Sequence, residues 1–220
     1  MTIGIIGAGH IGSALTRRLQ KLGHTVHIAN SRGPETLSAL AEETGAKPMT
    51  AQEAVRGAGI IVVTIPERAI PDLPKTLFDD VVANVPIVDT GNYYPQQRDG
   101  RIVQIESGVT ESRWVAQHLG RTVIKAFNNI YAQHIVDKGL PPGAPGRIAL
   151  PVAGDDSAAK ATIMDLVEQL GFDAVDAGTL DESWRQQPGS PVYGTDFDAD
   201  GVRRALGEAS KKRAPEWMAA

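Results

Sequence analysis

The chain has no cysteine in its 220 residues. That absence excludes a disulfide framework, a thiolate nucleophile and any cysteine-held metal. It also lacks a long apolar run: no uninterrupted stretch approaches the ~18 residues that suggest a membrane span. Positive charge is not in excess either, since 22 Lys and Arg stand against 26 Asp and Glu for a net charge of −4. A general nucleic-acid binder carries a clear basic surplus, so that class is set aside. Internal repeats and low-complexity segments are missing as well. The opening residues MTIGIIGAGHIG carry no basic n-region and are broken by glycines, unlike a signal peptide. The expected location is the cytoplasm, and no membrane partner is expected.

What is present is an ordinary globular composition, 42% hydrophobic and 22% charged, arranged as alternating short apolar runs and amphipathic stretches. Ile3–Ile6 reads as a buried strand, and Ile11, Ala14, Leu15, Leu19 and Leu22 follow at helical spacing up to a stop at Gly23. Thr25–Ala29 reads as a second strand. Pro34 opens a second helix that closes at Gly45, and Thr50-Ala51-Gln52-Glu53 has the pattern of a capping box. Ile60–Ile65, Pro86–Thr90, Thr122–Phe127, Arg147–Ala153 and Phe172–Asp176 read as further strands. Thr110–Leu119 and Asp156–Leu170 read as helices among them. Strands alternating with helices predict an α/β fold with a doubly wound parallel sheet, the Rossmann arrangement. The expected division is a nucleotide-binding domain over residues 1–180 and an extension over 181–220. The extension packs on the same domain or on a partner subunit, and it holds a short amphipathic helix around Val202, Ala205, Leu206 and Ala209.

Between the first strand and first helix lies Gly7-Ala8-Gly9-His10-Ile11-Gly12, a G-x-G-x-x-G. Its glycines allow a tight turn, close approach of backbone to a pyrophosphate, and close helix–strand packing. Its strand–helix–strand setting makes the motif specific. At the end of the second strand, where NAD sites usually carry a carboxylate for the ribose, this chain has Asn30, Ser31 and Arg32. A carboxylate would repel a 2′-phosphate, whereas a hydroxyl and a guanidinium bind one, so the expected cofactor is NADP(H). Thr64-Ile65-Pro66 ends the third strand on the nicotinamide side, or simply terminates it. Asn128 and Asn129 either hold a carboxamide or ring edge, or cap a helix running from Tyr131.

These residues give the chain a resemblance to the NADPH-dependent deazaflavin (coenzyme F-420) reductases, a fold group that also includes the cytosolic domain of transmembrane ferric reductases. The resemblance covers roughly residues 1–180. It is carried by the glycine loop, Asn30-Ser31-Arg32, Thr64-Ile65-Pro66, Lys125 through Ile130, Ala153-Gly154-Asp155-Asp156 and Leu170-Gly171-Phe172 with Val175–Gly178. It implies hydride transfer between NADPH and a planar redox ring. On that basis Gly7 to Gly12 hold the diphosphate, Ser31 and Arg32 the 2′-phosphate, Thr64, Ile65 and Pro66 the nicotinamide path, and Asn128, Asn129 and Ile130 the ring region. Asn92–Gln97 and the tail from Trp184 depart from the family pattern and leave the acceptor open.

After Gly178 too few residues follow for the helical substrate domain of many imine, hydroxyacid and phosphogluconate dehydrogenases. An open cleft, with a homodimer expected to complete it, suits a flat acceptor. Ring-to-ring transfer needs alignment more than an acid or base, and no catalytic side chain is assigned. A small-molecule imine or carbonyl reductase is the alternative, with Tyr93, Tyr94 or Tyr131 as proton donor; a non-catalytic NADP(H)-sensing module is another. No metal is expected, because His10, His24, His27, His118 and His134 show no ligand spacing. Asp155-Asp156 reads as a helix cap, Lys125 as an edge or snorkelling lysine, and Lys211-Lys212-Arg213 as a solvated helix end.

Overall fold

The computed structural model describes residues 1–219. In chain order it holds β1 (Thr2–Ile6), α1 (His10–Lys21), β2 (Thr25–Ala29), α2 (Ser38–Thr44), β3 (Lys47–Pro48), α3 (Ala51–Val55), β4 (Ile60–Val63) and β5 (Ile87–Asp89). Then come α4 (Val103–Glu106), α5 (Glu111–Leu119), β6 (Ile124–Lys125), α6 (Ala132–Asp137), β7 (Ala149–Val152), α7 (Ser157–Gln169), β8 (Asp173–Asp176) and α8 (Ala199–Glu208).

Six strands form one parallel sheet in the order β3-β2-β1-β4-β5-β6. Ile3 pairs with Val26 on one side and Ile60 on the other. The chain therefore leaves β1 toward β2 and β3, then returns to β4 on the opposite flank. That reversal opens a crevice at the carboxyl ends of β1 and β4, where ligands of open α/β sheets bind. Strand residues alternate between two cores: Ile3, Ile5, Ile60 and Val62 face one, Ile6, Ile61, Val63 and Ile87 the other. Burial on both faces explains why these strands read as continuous apolar runs.

The local signals act as their chemistry requires. Thr50 and Glu53 form the expected capping box, Thr110 caps α5, and Gly45 ends α2 in the left-handed conformation. Asp156 caps α7 by accepting from Ala158 and Ala159 N–H, whereas Asp155 accepts from Leu180 N at 2.9 Å and pairs with Arg113.

Three expectations need correction. β7 and β8 do not extend the main sheet; they form their own parallel pair, joined to it by an antiparallel bridge between Lys125 and Ala153. Phe127, just past β6, has φ 62°, a rare conformation for a bulky residue that turns the chain out of the sheet direction. Lys125 does lie on β6, the outermost strand of the six, but it does not snorkel: its side chain is wholly buried and ion-paired. The run Lys211-Lys212-Arg213 does not end a helix: α8 stops at Glu208, and Arg213 turns inward to an ion pair of 2.8 Å with Glu111. For Lys125 and Arg213 a buried opposite charge outweighs solvation of the cation.

Beyond residue 180, a 3-10 turn (Leu180–Gln186) leads to α8, which buries Val202, Ala205 and Leu206 against Ala149, Val175 and Val192. The 3-10 turn Pro215–Trp217 then places Trp217 beside Tyr94 and Tyr193, with ring centroids 6.0 Å and 6.3 Å away. No helix is long and apolar enough to cross a membrane among the described residues.

Candidate functional site

The crevice at the ends of β1 and β4 is a cavity of about 570 Å³. Gly7, Ala8 and Gly9 form its floor, Asn30, Ser31 and Arg32 one wall, and Thr64, Ile65 and Pro66 the other. Three stretches singled out in the sequence thus meet in one place.

The glycines divide their work. Gly7 has φ 111°, and a Cβ there would stand 2.2 Å from the carbonyl oxygen of Thr64. A Cβ on Gly12 would stand 2.0 Å from the carbonyl oxygen of Gly7. Those two hold β1, α1 and the end of β4 in contact. Gly9 differs: a Cβ there meets nothing within 4 Å, so its lack of a side chain leaves open space above the first turn of α1. That helix has no acidic residue in its first turn and no side-chain cap, so its leading N–H groups and dipole face the opening. Such a cradle fits a diphosphate. His10 is exposed and Ile11 half-buried on the same turn, beside a groove between α1 and α6.

At the far wall, Asn30 is used locally. Its Nδ2 donates to Thr36 Oγ1 at 2.9 Å, and its Oδ1 accepts from Arg32 N at 3.0 Å. This Asx turn leaves the Ser31 and Arg32 side chains exposed. The Arg32 guanidinium forms no ion pair among the described residues, so its charge is available to a ligand.

Asn128, Asn129 and Ile130 do not line this cavity. Asn128 is saturated: its amide donates to Asn92 Oδ1 at 3.0 Å and to the Gln186 carbonyl at 2.7 Å, and its Oδ1 accepts from Gln186 at 3.0 Å. Asn129 is buried with both side-chain polar atoms unpartnered, and Ile130 belongs to the core. Neither asparagine caps α6, whose N-cap is Tyr131 without a side-chain bond.

The three tyrosines differ sharply in availability. Tyr93 is enclosed, its hydroxyl donating to the Gly100 carbonyl and accepting from Ile102 N, and burial pushes its pKa up to about 12. The Tyr94 hydroxyl pairs with that of Tyr193. Tyr131 alone of the three is exposed. The histidines gather no metal site among the described residues: His118 lies on Trp114, and His134 pairs with Asp196 at 2.7 Å.

Sequence reasoning missed a buried charge cluster behind the cavity wall. Asp89 closes β5 and Lys125 closes β6; the Lys125 ammonium donates to the Gly91 carbonyl at 2.6 Å and lies 3.3 Å from Asp89 Oδ2. Glu111 and Arg213 extend the cluster, and Glu67 lies enclosed beside it. The one available signal was a charge placed in the last position of an otherwise apolar strand, at Asp89 and Lys125.

A parallel sheet reversed at β1 and β4, with a glycine loop opening onto a helix N-terminus, defines a dinucleotide-binding Rossmann protein. The family profile described as NADP oxidoreductase coenzyme F420-dependent matches residues 2–93. SMa0349 of Sinorhizobium meliloti, a solved structure whose description states no function, is 31% identical with a TM-score of 0.74, covering 89% of this chain and 94% of that one. An Arthrobacter sp. FB24 protein, provisionally described as an F420-dependent NADP reductase, aligns with a TM-score of 0.69 at 23% identity, covering 84% and 87% of the two chains. YjhV of Escherichia coli is 49% identical over 72 residues, which are 33% of this chain; the match spans about half of YjhV, 53%. The chain belongs to the F420-dependent NADP oxidoreductase family, and its cofactor class is NADP(H).

Proposed function

We propose that the protein transfers hydride between NADP(H) and a planar redox acceptor, a deazaflavin or a flavin. The observation that carries this reading is the Arg32 guanidinium, unpaired and exposed at the end of β2 where an NAD site would place a carboxylate. Gly7, Ala8, Gly9, His10, Ile11 and Gly12 hold the diphosphate through main-chain N–H groups. Asn30 shapes the turn that presents Ser31 and Arg32 to the 2′-phosphate. Thr64, Ile65 and Pro66 keep water from the nicotinamide path. Asn128, through Asn92 and Gln186, ties the ends of β5 and β6 to the 3-10 turn behind the acceptor side, with Asn129 and Ile130 packed beneath. When bound, NADPH supplies a hydride.

Support for a ring acceptor comes from what lines the cavity. Its ionisable side chains are Arg32 and Asp72, with no histidine, lysine or tyrosine there to protonate a carbonyl. A stacked ring takes the hydride through alignment. The test is NADPH oxidation against deazaflavin, flavins, quinones and ferric chelates; turnover with a carbonyl or imine alone defeats this reading. That second reading has one observation in its favour, the exposed Tyr131, and Tyr131→Phe would then abolish turnover. A homodimer with a cytoplasmic address completes the proposal, and light scattering of the purified protein tests the dimer.

A further inference from the structure

Glu67 is a buried ionisable side chain that has no hydrogen-bond partner among the described residues. It begins the 3-10 turn Glu67–Asp72 directly after Pro66, is fully enclosed, and has both carboxyl oxygens without a hydrogen bond. Its neighbours are charged. Asp89 accepts from Ser112 Oγ at 2.5 Å and Gly91 N at 2.8 Å, and lies 3.3 Å from the Lys125 ammonium. Glu111 lies 3.8 Å from that ammonium and 2.8 Å from Arg213. Asp99 pairs with Arg98 at 3.0 Å and accepts from the main-chain N–H of Tyr94 at 2.8 Å and of Arg68 at 3.3 Å. A Cβ on Gly91 would stand 2.5 Å from Glu67 Oε1 and 2.9 Å from Asp89 Oδ1, so the two carboxyl groups converge on one point.

The charges balance without Glu67. Lys125 and Arg213 match Asp89 and Glu111, and Arg98 matches Asp99. An ionised Glu67 would be an unmatched charge in a dry interior, so it holds its proton. Burial raises its pKa well above the ordinary carboxylate value, and the like charges of Asp89, Glu111 and Asp99 act the same way against Lys125 alone.

We propose that Glu67 releases this proton when the neighbouring cavity holds an oxidised, positively charged nicotinamide and keeps it when the ring is reduced and neutral. The inference rests on the cavity being the NADP(H) site. Pro66 lines that cavity and Glu67, the next residue, is enclosed behind it, so a positive charge arriving there supplies the counter-charge that an ionised Glu67 lacks. The Glu67 O–H bond breaks, its electron pair stays on the carboxylate, and the proton passes to bulk water. Nothing in the protein is oxidised or reduced. Glu67 acts through the charge of the pocket wall, not by touching the reacting atoms, and is a positioning residue.

The test is calorimetric titration of NADP+ and NADPH into wild type and Glu67→Gln in buffers of differing ionisation enthalpy. Protonation of the 2′-phosphate contributes equally for both nucleotides and cancels in their difference. Wild type is expected to release about one more proton on binding NADP+ than on binding NADPH. In Glu67→Gln the difference vanishes, and NADP+ affinity falls about tenfold relative to NADPH. Equal proton counts in wild type, or a difference that survives in Glu67→Gln, overturns the proposal. Should that variant not fold, the infrared difference between NADPH-bound and NADP+-bound wild type decides: a protonated carboxyl band lost with NADP+ supports the proposal, and no change overturns it. If Arg32→Ala binds NADPH as wild type does, the cavity reading fails and takes the proposal with it. Arg32-dependent binding with equal proton counts defeats only the role of Glu67.

Discussion

The Lys125 ammonium lies 3.3 Å from Asp89 Oδ2, and neither side chain reaches solvent. The two residues end adjacent strands, so the sheet's parallel register itself sets the pair: Asp89 stands opposite Lys125 in the β5–β6 ladder. Buried pairs contribute little net stability over apolar packing, but removal of one partner leaves the other uncompensated. Lys125→Met therefore strands Asp89 and Glu111, and urea unfolding should show a loss of about 3–5 kcal/mol. An unchanged midpoint would mean that the carboxylates are solvated after all.

Glu67 gives a pH dependence of stability with a definite sign. Its folded pKa lies well above its unfolded value near 4.5, so its contribution is complete below that value and is lost as pH rises through the folded pKa. Glu67→Gln removes the titration. The variant should be more stable than wild type at neutral and alkaline pH, with the gap closing in acid, as followed by unfolding at a series of pH values.

Arg32→Ala should weaken NADPH binding by about 1–3 kcal/mol, the range for hydrogen bonds to charged groups, with NADH affinity barely changed. Fluorescence titration of both nucleotides measures this. Equal losses would assign Arg32 to the fold of its turn instead of to the 2′-phosphate.

The two roles within the glycine loop, packing at Gly7 and open space at Gly9, separate by substitution. Gly9 has φ −74°, which alanine adopts freely, and open space where a Cβ would go. Gly9→Ala should melt like wild type yet bind NADPH poorly. Gly7→Ala meets both a positive φ and a backbone oxygen at 2.2 Å, and should lose at least about 1–3 kcal/mol of stability. Melting curves and nucleotide titration on both variants distinguish the roles.

Much of the nucleotide-binding half was legible because its signals are local. Ile3–Ile6, the glycine loop and the α1 stripe sit within one continuous stretch, and each glycine answers to a neighbour only a few residues or one strand away. β3 was not legible, for two residues carry no periodicity. The separate β7–β8 pair was hidden because strand patterns do not say which sheet a strand joins; the positive φ at Phe127, where the chain leaves β6, was equally unsignalled by Lys125-Ala126-Phe127. The charge cluster was least visible. Glu67, Asp89, Glu111, Lys125 and Arg213 come from five separate segments; only Asp89 and Lys125 hint at burial, by their place in apolar runs, and nothing in the sequence joins the five. Asn128 likewise showed its polarity but not its partners, which lie in Asn92 and Gln186.

The ion pair between Arg213 and Glu111 also makes the seating of one helix depend on the tail. The six-stranded sheet uses no residue beyond Lys125, yet Glu111, enclosed on α5 against that sheet, is neutralised in part by a guanidinium that arrives 102 residues later in the chain. Until that segment docks, α5 carries a carboxylate whose burial is unfavourable, and a solvated, loosely seated helix is the cheaper state. The tail is thus a structural support of α5, because without Arg213 that helix would bury a carboxylate matched only at 3.8 Å by Lys125.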